Sequence, residues 1–172
     1  MNLELYRQRL ERLRAYCRKL GVGEVHLDFE RDFYGFMATE VAVNILGKVG
    51  KEMQVRFLSS VMKLPGKVRR KEPYEIAGYV VSRWFQVGSR VAGAVADVLS
   101  EVFEMDPAAA VKEVWRWGMP PHVVWALAKY MGRDGFAASL PGQPFFTEEE
   151  VECCRVRYEA MAWLHAIRRL KG

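Results

Sequence analysis

No uninterrupted apolar run in the chain approaches the roughly 18–20 residues that a membrane-spanning helix needs, so no membrane partner is expected. The opening, "MNLELYRQRLERLRAYCRKL", is charged throughout and lacks the apolar stretch of a secretory leader. A cytoplasmic location is the expectation. Cysteine is scarce: Cys17, Cys153 and Cys154 are an odd count with two adjacent, a poor disulfide framework that suits a reducing compartment. There is no Cys-x-x-Cys pair, and three cysteines with three histidines do not suggest a closed zinc set. Without a phosphate-binding loop or a spaced nucleophile and base, the expectation is a non-catalytic protein with no cofactor and no metal.

What is present is a mixed globular composition. Of 172 residues, 51% are hydrophobic and 27% charged, enough for one domain or two small ones, each with a core. The net charge of +5 permits nucleic acid or another anionic surface, but placement matters more than the sum.

Periodicity points to helices. Leu3, Tyr6, Leu10, Leu13, Cys17 and Leu20 alternate three and four apart, which predicts a helix over residues 2–20 with one apolar seam. That seam suits either a core-facing helix or a dimerising one. Val25, Leu27 and Phe29 alternate with His26, Asp28 and Glu30, as in a short strand or an extended lead-in. The three polar residues would share a face, a solvated one or, less simply, a set of metal ligands. Residues 32–48 are apolar on most sides, as in a helix buried within a bundle, and "KEMQVRFLSSVMKL" predicts another beside it. Residues 75–87 and 88–104 predict helices that meet near Gly88, where Gly88, Ala92 and Ala96 make a small-residue face. Asp106 and Pro107 mark one further start. Thr147 and Glu150 are spaced as a capping box, opening a last helix with a stripe of Cys153, Val156, Ala160, Trp163, Ile167 and Leu170.

"KLPGKVRRKEPY" interrupts this pattern with two prolines, a glycine and the cations Lys63, Lys67, Arg69, Arg70 and Lys71. It predicts a division into an N-terminal helical region (1–63, oligomerisation or ligand sensing), a basic linker (64–73) and a second helical unit (74–172). The linker is either a solvated loop or a phosphate-contacting segment, through Lys67, Arg69, Arg70 and Lys71.

"AAVKEVWRWGMPPHVVWALAKYM" has the parts of a helix-turn-helix: a helix, a turn at Gly118 and a second helix held down by Val124, Leu127 and Met131. After it, "RDGF" ends the second helix, "FAAS" suits a strand, and "LPGQ" puts Pro and Gly at the centre of a type II turn. "PFF" could pair back before Thr147, as an edge element because Pro144 lacks an N–H. In this punctuation ("RDGF", "LPGQ", "TEEE") residues 88–150 resemble the winged helix-turn-helix proteins. The resemblance implies a DNA-binding, transcription-regulating unit with a small β-hairpin wing, dimerising through helices outside it. The outward face would carry Pro120, Pro121, His122, Trp125, Ala126 and Lys129, with no Arg, Asn or Gln to read base edges. His122 and Lys129 would then contact phosphates, with Arg133 at the wing base, and Trp125 would pack against residues 1–63.

Other chemistry is weak. Cys153 or Cys154 and His165 lie on one predicted helix, and eleven residues at about 1.5 Å each separate Cys154 from His165 by about 16 Å, beyond hydrogen-bond reach. Glu148, Glu149, Glu150 and Glu152 suit the positive end of a helix, and the five tryptophans suit a core. The expected fold is mainly α, a helical bundle with a winged helix-turn-helix unit and one small hairpin. The expected function is a DNA-associated or regulatory protein that forms homo-oligomers through its terminal helices. The alternative is an interaction or assembly subunit with a protein partner and no nucleic acid.

Overall fold

A computed structural model describes residues 2–171. The fold is mainly helical: α1 (Leu3–Lys19), α2 (Asp32–Val49), α3 (Lys51–Val61), α4 (Gly66–Arg69), α5 (Pro73–Ser82), α6 (Ser89–Val98), α7 (Pro107–Arg116), α8 (Pro121–Tyr130), α9 (Asp134–Ser139) and α10 (Glu148–Lys171). A π-helical turn, Trp84–Gly88, joins α5 to α6, and a 3-10 turn, Val102–Glu104, precedes α7. No helix is long and apolar enough to cross a membrane among the described residues.

Helix α2 is the axis of the molecule. Phe33, Gly35 and the run from Phe36 to Thr39 are buried, as are Ala42 and Val43, which is why its sequence is apolar on most sides. It packs against α3, α5, α6 and α8. Gly35 permits the closest approach: a methyl group there would stand 2.7 Å from the Tyr130 ring and 2.8 Å from Trp84. The buried Gln54 of α3 donates from Nε2 to the carbonyls of Val43 (3.1 Å) and Pro73 (3.0 Å), tying α2 to the start of α5.

Apolar residues from both sides of the basic segment share clusters. Phe33, Phe36 and Met37 belong to one apolar cluster with Val95, Leu127 and Tyr158. Within the supposed linker, Leu64 and Val68 are buried in a second cluster with Val43, Leu58, Ile76 and Val80. The apolar residues of the segment are buried while its cations stay outside.

The terminal helices pair with each other. Leu10 and Cys17 of α1 bury with Val156, Trp163 and Ile167 of α10, and Val22 closes the end. Arg7 meets Glu152 at 3.6 Å and Arg14 bonds Glu159 (Nε to Oε2, 2.6 Å), one heptad on in both helices. The two therefore run parallel, and their three-four seams mesh within one chain. The α1 seam is thus core-facing, one of the two readings its spacing allowed, and within one chain the two stripes meet at high effective concentration.

Residues 22–28 are extended but carry no strand ladder, so the lead-in reading of that alternation holds. The β-hairpin is also corrected, for no strand occurs among the described residues. "FAAS" lies in α9, which Asp134 opens and whose two alanines favour helix. Pro141 and Gly142 (φ +93°) do turn the chain. The Gln143 side chain then donates to the carbonyls of Ala137 (2.8 Å), Ala138 (3.1 Å) and Leu140 (2.9 Å). Those bonds satisfy the open end of α9 and bring the turn back onto a helix. The Thr147–Glu150 capping box forms as expected, with reciprocal bonds of 3.1 Å.

Candidate functional site

Helices α7 and α8 follow one another across a short turn. α7 ends at Arg116, Gly118 follows with a φ of +74° that is cheap only for glycine, and α8 starts behind Pro120. Yet α8 has no exposed residue: Pro121, Val123, Val124, Ala126, Leu127 and Ala128 are buried and the rest are half-buried. Trp125 stands edge-on to Tyr34 of α2 at 5.6 Å and beside Phe146 at 5.7 Å, so it does pack against residues 1–63. The outward face expected of a DNA-reading helix is covered by α2 and by the 140–146 loop.

Its polar residues, and the exposed Arg133 that follows it, have partners within the chain. His122 lies 5.3 Å from both Phe145 and Phe146. Lys129 pairs with Asp134 at 3.2 Å and sits 5.3 Å from the centre of the Tyr34 ring. Arg133 donates to the Phe103 carbonyl at 3.1 Å, pairs with Glu104 at 3.3 Å and lies over the Phe103 ring. The structure does not bring these three together on an open surface.

The basic segment is the opposite case. Lys63, Lys67, Arg69, Arg70 and Lys71 are all exposed, and none forms an ion pair among the described residues. Arg69 Nε donates to the Leu64 carbonyl at 3.2 Å, which braces its stem. The neighbouring Glu75 is occupied in part by the Glu72 N–H at 3.1 Å. This is a row of open cations on an anchored backbone.

A polar cleft, absent from the sequence-level candidates, lies between residues 24–32 and α10, with the π-helical turn at its back. It measures about 410 Å³ and is lined by Asp28, Asp32, Phe85, Tyr158, His165 and Arg169 among others. Asp32, in the first turn of α2, accepts at Oδ2 from Trp84 Nε1 (2.9 Å) and from the Tyr158 hydroxyl (3.3 Å). That hydroxyl also accepts from the Asp28 N–H at 3.3 Å. Burial first, then the neighbouring carboxylates, push the Tyr158 phenol above its ordinary value, so it acts as a donor and not as a base. His165 stacks on Phe85 (5.9 Å, 22°); burial, then Arg169 and Arg168, hold its pKa below the ordinary value. Single residues from three distant stretches meet here, and only the alternation around Asp28 hinted at one wall.

Thiol and metal chemistry find no support in this geometry. Cys17, Cys153 and Cys154 are free and buried, and burial, with Glu40 nearby, raises the Cys154 thiol to about 12, the reverse of an activated nucleophile. His26, Asp28 and Glu30 belong to no cluster able to hold a metal among the described residues. No protein family, no curated protein and no solved structure matches the chain.

Proposed function

We propose that this chain is a non-catalytic, nucleic-acid-associated helical protein whose contact is the basic segment 63–71, with α8 serving as core. The observation that supports the reading is the row of five exposed, unpaired cations held on a segment whose Leu64 and Val68 are buried. A braced backbone loses little freedom on docking, and cations without internal partners are free to displace counterions from phosphates. Such contacts position a protein on a duplex without selecting a sequence.

Titration of a labelled DNA duplex at several salt concentrations tests it. With about four phosphate contacts, log K is expected to fall by roughly three to four per decade of salt. The Lys67→Ser/Arg70→Ser/Lys71→Ser variant is expected to lose that binding, and Lys129→Ala to keep it. Absence of binding at low salt, or an unaffected triple variant, would remove the proposal. A second reading, a protein-interaction subunit, is favoured by Trp115, 60% exposed on α7, since tryptophan is enriched at interface centres. Association that depends on Trp115 and is indifferent to the triple variant would select it.

A further inference from the structure

Tyr74 follows the cationic row directly, and its ring is left uncovered. It is 71% exposed. Tyr34, Tyr79, Tyr130 and Tyr158 pack on rings or guanidinium groups within the chain. Tyr74 has no aromatic or cationic partner among the described residues. Its backbone is nevertheless fixed. The carbonyl of Pro73, which opens α5, accepts from the buried Gln54 at 3.0 Å. A methyl group at Gly47 would stand 2.9 Å from Pro73 Cβ, so the end of α2 lies against the same residue. Glu72 and Glu75 close a capping box, with the Glu72 N–H donating to the Glu75 carboxylate at 3.1 Å. Both carboxylates flanking Tyr74 are thereby engaged at the positive end of α5.

The covalent chain bounds the spacing to the cations. Lys71 and Lys67 precede Tyr74 by three and seven positions, at most about 11 and 25 Å between Cα atoms at full extension. The turn in which the Lys71 N–H donates to the Val68 carbonyl at 3.0 Å shortens the longer span. Lys48 is exposed, without an ion pair among the described residues, and follows Gly47 in the chain. The contact of Gly47 with Pro73 therefore brings one more cation to this end of the row. Cations alone hold the phosphates of any nucleic acid. An uncovered aromatic ring adds a flat face. Bases stacked within a duplex have no face free to meet it, whereas unpaired bases do.

We propose that the basic segment binds single-stranded nucleic acid, with phosphates along Lys67, Arg70 and Lys71 and a base stacked on Tyr74. The inference rests on the nucleic-acid reading of that segment and narrows it to unpaired strands. Tyr16 on α1, 49% exposed, is the other exposed tyrosine and serves as the internal control.

Fluorescence anisotropy at fixed salt tests the assignment with three labelled probes: oligothymidylate of about twelve nucleotides, an abasic strand of the same length and a duplex. The base-bearing strand is expected to bind about tenfold more tightly than the abasic one, the worth of one stacked base. Tyr74→Ala should remove that tenfold and leave abasic-strand and duplex binding unchanged, while Tyr74→Phe and Tyr16→Ala keep it. An oligouridylate arm separates an RNA source from a DNA one, each requiring the same loss in Tyr74→Ala. Equal binding of base-bearing and abasic strands would overturn the stacking assignment. So would indifference to Tyr74→Ala, an equal loss on the duplex, or an equal loss in Tyr16→Ala. In each of those cases, duplex binding that disappears in the Lys67→Ser/Arg70→Ser/Lys71→Ser variant would leave the basic-segment reading standing. Failure of all probes to bind at low salt would remove both.

Discussion

Helices α1 and α8 are both amphipathic by sequence, yet the molecule uses them differently. α1 leans on one neighbour, α10, along a single seam, so Arg7, Arg9, Arg12 and Arg18 stay exposed. α8 is enclosed by α2, α7 and α9, and even its polar residues are drawn against aromatic rings. The number of neighbours, more than the helix's own pattern, decides what it shows to solvent. A recognition helix needs one free side, and α8 has none.

The contrast can be broken at four strengths. Ala126→Glu puts a carboxylate into the fully buried face of α8; a loss of more than about 4 kcal/mol, or no folding, is expected in urea denaturation. A cooperative melt close to wild type would mean that α8 has an open side after all. Leu10→Ala in the α1–α10 seam is expected to cost about 2–3 kcal/mol, with the effect confined to one region. Hydrogen exchange should quicken in α1 while α2 and α8 keep their protection; uniform loss would merge the two regions into one unit. Tyr158→Phe removes the hydroxyl that joins Asp28 to Asp32 and is expected to cost about 1 kcal/mol, read by thermal melting, with faster exchange at residues 28–31.

The smallest effect is that of pH. His165 has its folded pKa below the ordinary 6.5, so near and below that pH the unfolded chain binds the extra proton first. Stability should therefore decline as pH falls below about 6.5 and level off beneath the folded pKa. His165→Gln should flatten that part of the stability profile. An unchanged slope would assign it to other groups.

Much of the helical layout was legible because it depends on local spacing. The seam of α1, the apolar girth of α2, the Asp106–Pro107 start, the Thr147–Glu150 cap and the turn at Gly118 each follow from residues within a few positions of one another. The hairpin was misread for the same reason: "FAAS" before a Pro-Gly turn suits a strand locally, and only Gln143 reaching back to three carbonyls shows why the helix wins. The candidate cleft was almost illegible. Asp32, Trp84, Tyr158 and Arg169 are far apart in the chain, and none has a spacing that announces the others.

Composition and periodicity alone determined that this is a mainly helical protein with no membrane-spanning helix, buried in the middle and charged at both ends. The tertiary structure decided which apolar stripes met within the chain, which cations were left open and which polar side chains came to share a cavity. Helix formation is governed by neighbours along the sequence, whereas exposure and site geometry depend on packing among residues the chain brings together from afar.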